Sequence, residues 1–194
     1  MKKRMKVLMS LKNQKRNIRK DKMKRILDMG CGMKPIKEAT HILDYNPNLK
    51  KFAVPGVKFI HHDLNKTPYP FPDCYFDYIH IWGVIEHLTI SEEKLFKELW
   101  RITNLNGFIK VMVPNSLFIY HRIIYLLGWV PCDFVLPHRK HYNFRQFATF
   151  IRNAGFKIFE LQNLWIFNPF RNFTNKHIVV LFEKIDYTYE GGGN

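Results

Sequence analysis

From Arg25 onward the chain alternates short apolar runs with polar or helical stretches. Arg25 to Met29, His41 to Leu43, Val57 to His61, Tyr78 to Trp82 and Phe108 to Val113 are predicted as five successive strands. Their near-continuous apolar character, with β-branched residues, suits strands buried on both faces and therefore a parallel sheet. Between the fourth and fifth runs, Ser91 to Asn104 places Leu95, Leu99 and Ile102 on one face at helical spacing. Thr89, followed three residues later by Glu92, has the spacing of a capping box at the start of that helix. Asn106-Gly107 marks a turn into the fifth strand. Strand, helix, strand in this rhythm calls for right-handed crossovers and an open α/β sheet.

The pattern changes after the fifth run. Ser116 to Val130 is apolar and aromatic, interrupted by His121 and Arg122, and "PCDFVLPHRKHYN" after it reads as a loop. Phe144 to Asn153 is a predicted helix ended by Ala154-Gly155. Phe156 to Gln162 and His177 to Phe182 are predicted strands that pair as a hairpin at the sheet edge. The expected organisation is an N-terminal arm over residues 1–22, one domain over 23–186 with a substrate or lid segment at 116–143, and a tail over 187–194.

Composition changes this picture mainly at the N-terminus. The 194 residues fit one domain with a sizeable core. The formal charge of +15 is concentrated in residues 1–25, which hold 12 Lys or Arg against one acid, Asp21; the remainder carries only +4. A basic arm on a nearly neutral domain can attract RNA or anionic lipid headgroups, or remain a solvated tail. Met5, Leu8, Met9 and Leu11 can line one side of a short basic amphipathic helix, which favours a membrane surface. The arm is too polar for a signal peptide or a membrane span. Cys31, Cys74 and Cys132 are odd in number, far apart and without CxxC or close Cys/His spacing, so no disulfide framework or metal site is expected. A reducing cytoplasm is the expected compartment.

The candidate chemistry lies at the carboxyl ends of the strands, where open α/β sheets bind ligands. Asp28 sits in the first strand, Asp44 ends the second and Asp63 follows the third. Gly30 and Gly32 let the backbone turn tightly after the first strand and approach a ligand. A carboxylate ending the second strand can accept both ribose hydroxyls, and Asp63 can accept from an exocyclic amine such as adenine N6. Together these residues describe a grip for adenosine across three adjacent strands.

The segments "ILDMGCG", "ILDYNP", "HHDLNKTPYPFPDCYFDYIHIWGVIEHL" and "LFKELWRITNLNGFIKVMVPN" resemble the successive motifs of class I S-adenosylmethionine-dependent methyltransferases of the type 11-like kind. "HYNFRQFATFIRNAGFKI" is similar to that family's lead into its sixth strand. The resemblance implies a Rossmann-like fold: an open, twisted, mostly parallel seven-stranded sheet with helices on both faces and an antiparallel C-terminal edge strand. It implies S-adenosyl-L-methionine as cofactor, with Asp28, Gly30, Cys31 and Gly32 around its methionine portion. By the same resemblance Asp44 holds the ribose, Tyr45 flanks the adenine, and Asp63 and the backbone of Leu64 read the adenine edge. Trp82 and Gly83 would lie beside the sulfonium, where an indole face attracts a cation, and Glu86 and His87 would open the next helix. The chain departs from the family at Lys34-Pro35, where a third glycine is common. The first connecting helix is therefore expected to be a single turn or absent, with Lys34 supplying positive charge in place of its N-terminus.

Methyl transfer requires alignment and water exclusion, plus a base where the acceptor must lose a proton. His87 is the candidate base, with His138, His141 and Tyr142 as further candidates. Asn115, the aromatic segment Leu117 to Trp129, and Pro137 to Tyr142 are expected to build the acceptor pocket, which favours a small-molecule or lipid-like acceptor. No NPPY-like motif for methylating base amines is present. Two other readings fit the sequence: an RNA or ribosomal-protein methyltransferase using the basic arm, or a cofactor-binding scaffold without transfer.

Overall fold

The apolar runs all become strands. In the computed structural model, which describes residues 24–128, 138–162 and 177–185, they form β1 (Ile26–Met29), β2 (His41–Asp44), β3 (Lys58–His61), β4 (Phe76–Trp82), β5 (Thr103–Pro114), β6 (Phe156–Gln162) and β7 (His177–Lys184). The described helices are α1 (Glu92–Ile102), α2 (Ile119–Leu126) and α3 (Phe144–Asn153), with 3-10 turns at Pro47–Phe52 and Ile85–His87. All strands join one sheet in the order β3-β2-β1-β4-β5-β7-β6. The first five pair in parallel. β7 runs antiparallel between β5 and β6, so the two C-terminal strands pair as expected and β6 takes the edge position. The arm, the stretch around Cys132, and the tail expected over 187–194 lie outside the described residues.

Side chains alternate across the sheet with period two. Leu27 and Met29, Ile79 and Ile81, Ile109, Val111 and Val113, and Ile178, Val180 and Phe182 point to one side. There they join Leu95, Leu99 and Ile102 of α1 and Phe147 and Ile151 of α3 in a continuous buried cluster. Asp28, His80 and Lys110 are cross-strand neighbours of the opposite parity.

Several local expectations are corrected by long-range contacts. Asn65 Oδ1 accepts from both the amide (2.6 Å) and the hydroxyl (3.0 Å) of Thr89, so Thr89 is tied to another loop. Ser91 instead caps α1, its Oγ accepting from Lys94 N. The helix ends at Ile102 because Thr103 is already extended and pairs with Phe76. The turn predicted at Asn106-Gly107 is a bulge inside β5: the register moves from Phe76↔Thr103 to Tyr78↔Phe108, and Asn106 adopts φ 61°. Glu86 and His87 belong to their own 3-10 turn ahead of α1. No helix occurs between β1 and β2, where turns alone cover residues 30–40.

A polar clamp fixes the loop between β3 and β4 against α1. Arg101 donates twice to Glu98, to Asp73 Oδ1, and to the carbonyls of Tyr69 and Phe71. Burial alone would raise the Glu98 carboxyl, but the Arg101 guanidinium and the Tyr69 amide outweigh it and hold it below the usual carboxylate range.

Candidate active site

The loop after β1 is shaped by Asp28, which is only 2% exposed. Its Oδ2 accepts from Ile36 N at 2.8 Å and its Oδ1 lies 3.2 Å from His80 Nδ1. Asp28 therefore anchors the loop of residues 30–36 to β4. Gly30 N donates to Leu43 O at 2.8 Å, holding the loop over the end of β2. Gly30 has φ +70°, and a Cβ there would lie 2.6 Å from Val84 Cγ2. Gly32 has φ +56°, but a Cβ there would meet nothing within 4 Å. The first glycine is thus required by protein packing, and the second leaves open space.

Asp44 ends β2 and is 3% exposed. Its Oδ1 accepts from Asn46 N at 3.0 Å and its Oδ2 from Gly32 N at 3.4 Å, a long bond that leaves that oxygen capacity for further donors. Tyr45 beside it is 65% exposed, with its carbonyl held by His61 Nε2 at 2.7 Å. Asp63 lies after β3. Its Oδ1 accepts from the backbone and side-chain nitrogens of Asn65, which hold the carboxyl below its ordinary range despite some burial, with Lys66 and His62 contributing. Leu64 is buried, and its carbonyl accepts from Tyr69 OH. Cys31 faces both acidic residues: burial first, then the Asp28 and Asp44 carboxylates, push its thiol up to about 12, so it stays protonated.

At the end of β4, Trp82 is 45% exposed. It stacks on His80, with centroids 5.6 Å apart at 13°, and Lys110 Nζ lies 5.5 Å from its centroid. His80 and Lys110 escaped the sequence reading. Their signal was the register of β1, β4 and β5, which aligns Asp28, His80 and Lys110 across three strands and is invisible in any single segment. Gly83 follows with φ +66°, where a Cβ would lie 3.7 Å from Glu86 Oε1.

The sequence-predicted acceptor residues divide into two kinds. His138 and His87 come together, with ring centroids 5.0 Å apart. Asn115 and Tyr142 are both 2% exposed and form a parallel bridge. Asn115 Oδ1 accepts from Leu117 N, while Tyr142 OH donates to Glu92 Oε1 at 2.8 Å. Burial and the Glu92 carboxylate push the Tyr142 hydroxyl far above its ordinary value, which suits a strut better than a base. His141 is exposed beside them, and Lys34 is exposed at the first loop.

A seven-stranded sheet of this order, with a glycine loop after β1 and buried carboxylates at the ends of β1 and β2, defines the Rossmann-like fold of S-adenosylmethionine-dependent methyltransferases. The methyltransferase-domain family model matches residues 2–161, and the chain belongs to that family. It is an S-adenosylmethionine-dependent methyltransferase. Among solved structures, a SAM-dependent methyltransferase from Archaeoglobus fulgidus is similar with a TM-score of 0.63 and 17% identity, over 91% of this chain and 93% of that one. One from Mesorhizobium loti gives 0.61 and 13%, over 82% and 90%. A Haloferax volcanii methyltransferase in complex with the Trm112 activator gives 0.59 and 14%, over 88% of each chain. No curated protein matches the chain in sequence.

The residues present fit the cofactor. Asp44 offers a buried carboxylate with an underused oxygen, and the space beside Gly32 is open. Among the described residues, no helix is long and apolar enough to cross a membrane.

Proposed function

We propose that this methyltransferase acts on a small-molecule or lipid-like acceptor that enters beside β4 and β5. The supporting observation is α2, directly after β5, which leaves Ile123, Tyr125 and Leu126 exposed, with Leu127 after them. An apolar surface at this position favours an acceptor with apolar bulk over a polar chain. When bound, S-adenosylmethionine supplies an electrophilic methyl carbon on a sulfonium. Asp44 accepts from the ribose hydroxyls, Tyr45 flanks the adenine, and Asp63 with Leu64 reads its edge. Gly30, Cys31 and Gly32, on the loop anchored by Asp28, border the methionine portion. Trp82 and Gly83 border the sulfonium and exclude water. His87 and His138 face the acceptor and are placed to handle its proton, with Asn115, His141 and Tyr142 framing that side.

The test is transfer of radiolabelled methyl to fractionated cell extract. Label is expected in the small-molecule or organic-soluble fraction, and label confined to RNA or protein would refute the assignment. A second reading draws on the charge of residues 1–25: the arm holds an RNA phosphate backbone and the acceptor is RNA or a ribosomal protein. In that case removing residues 1–20 would flatten a steep salt dependence of RNA binding. A cytoplasmic location accompanies either reading, supported by the cysteine pattern.

A further inference from the structure

Two stretches far apart in sequence are strapped together beside Gly83. The amides of Arg139 and Lys140 both donate to the Glu86 carbonyl, at 2.9 and 3.1 Å. Lys140 Nζ reaches the Ile90 carbonyl and lies 3.3 Å from Glu92 Oε1, to which Tyr142 OH also donates. This strapping holds His138 against His87, with the rings tilted at 54°. One donor atom from each of Glu86, His87 and His138 then falls within 4.8 Å of the others.

The chemistry of the set is selective. Glu86 is 2% exposed, so its carboxylate is held inside the fold beside the two imidazoles. Two imidazoles and one carboxylate suit first-row transition metals, whereas magnesium and calcium prefer oxygen-only shells. Donors around one tetrahedral zinc ion stand about 3.3 Å apart, so a modest closure of the three side chains completes the site. Three protein ligands also leave positions open, the mark of a metal that meets substrate.

We propose that Glu86, His87 and His138 bind a divalent transition-metal ion of the zinc class, and that its open positions take the methyl acceptor through a hydroxyl oxygen. The acceptor half of this statement rests on the function proposed above. Its location supports it, since Glu86 Oε1 would lie 3.7 Å from a Cβ on Gly83, at the end of β4 where transfer is placed. A metal-bound hydroxyl ionises more readily than a free one. It gives its proton to solvent, its oxygen bonds to the methyl carbon as the bond from that carbon to sulfur breaks, and sulfur keeps the electron pair. His87 and His138 then act on the acceptor's proton through the metal they hold, in place of the direct proton transfer described under the proposed function.

The experiment uses the untagged full chain, stripped with chelator. Co²⁺ is titrated by visible absorption and Zn²⁺ by calorimetry, with S-adenosylhomocysteine binding measured in parallel. Wild type is expected to take one equivalent of metal. Glu86→Gln, His87→Ala and His138→Ala should each weaken that binding by about 100-fold. His138→Ala, which alters a half-buried ring outside the cofactor loops, should keep its affinity for S-adenosylhomocysteine within about twofold and so reports metal loss in a folded chain. Absence of a saturable metal equivalent, or metal affinity untouched by all three substitutions, overturns the proposal while leaving cofactor binding intact. Metal held by these residues in a chain that does not bind S-adenosylhomocysteine would support the cation site and overturn its link to methyl transfer.

Discussion

Replacing Gly30 with alanine separates the two roles a glycine can have at a cofactor loop. The new Cβ would lie 2.6 Å from Val84 Cγ2 and 3.0 Å from Cγ1, on a backbone at φ +70°. The left-handed conformation costs about 1 kcal/mol for a residue with a side chain, and forcing a methyl into an occupied space costs about 1–3 kcal/mol. Gly30→Ala is therefore expected to lose about 2–4 kcal/mol, which is measurable within the usual 5–15 kcal/mol of a folded domain. Val84→Ala removes the two obstructing methyls and on its own loses about 2 kcal/mol of burial. The double variant should recover the overlap, so the two losses fall short of additivity by about 1–3 kcal/mol. Gly32→Ala is the control. At φ +56° with nothing within 4 Å, it should cost only the backbone term and show no coupling to Val84. Its larger effect should be on S-adenosylhomocysteine affinity, because its methyl would point into the open space. Urea unfolding followed by tryptophan fluorescence gives the cycle, and calorimetry gives the binding. Additivity of Gly30→Ala and Val84→Ala within about 0.5 kcal/mol would refute the account.

Asp44→Asn should weaken S-adenosylhomocysteine binding by about 1.5–3 kcal/mol in calorimetry, the usual loss of a hydrogen bond to a charged group, while Asp28→Asn should disturb stability as well, since Asp28 anchors Ile36 and His80. Stability against urea should fall in two pH windows. His41 is lowered by burial and by Lys58 and Arg25, so its contribution is complete above the unfolded value near 6.5 and declines as pH falls below it. Glu98 is also lowered, so its contribution is complete above about pH 4.5 and is lost as pH falls through its folded value. Glu98→Gln should narrow the lower window, to which the lowered carboxyls of Asp63 and Glu92 also contribute, and leave the upper one unchanged. Peptide-resolved alkylation at pH 8 should label exposed Cys74 well ahead of Cys31, whose thiol is pushed to about 12; equal labelling would contradict that environment.

The legible parts of this fold are those decided within one segment. Phe144–Asn153 forms as a helix because its apolar spacing, the Asn143 cap and the following Gly155 all lie within a dozen residues. The ends of β1 and β2 carry Asp28 and Asp44 for the same reason, since a short apolar run between turn residues has few alternatives. What escaped was decided by partners elsewhere in the chain. Thr89 is a sound cap on local grounds, but Asn65 binds it and Ser91 takes the role. Asn106-Gly107 has turn chemistry, yet pairing of Thr103 with Phe76 turns it into a bulge. The same division runs through the site. Gly30, Gly32, Asp44 and Asp63 follow strand ends and are readable one at a time. The His80–Trp82–Lys110 group needs the strand register, and the Glu86–His87–His138 group needs the strap between the Glu86 carbonyl and the Arg139 and Lys140 amides. In the site proposed above, the cofactor grip draws on adjacent strand ends, whereas the acceptor side draws on the segments that follow β4 and β5. Local pattern therefore reaches the cofactor first, and the identity of the acceptor is carried by contacts between segments that share no motif.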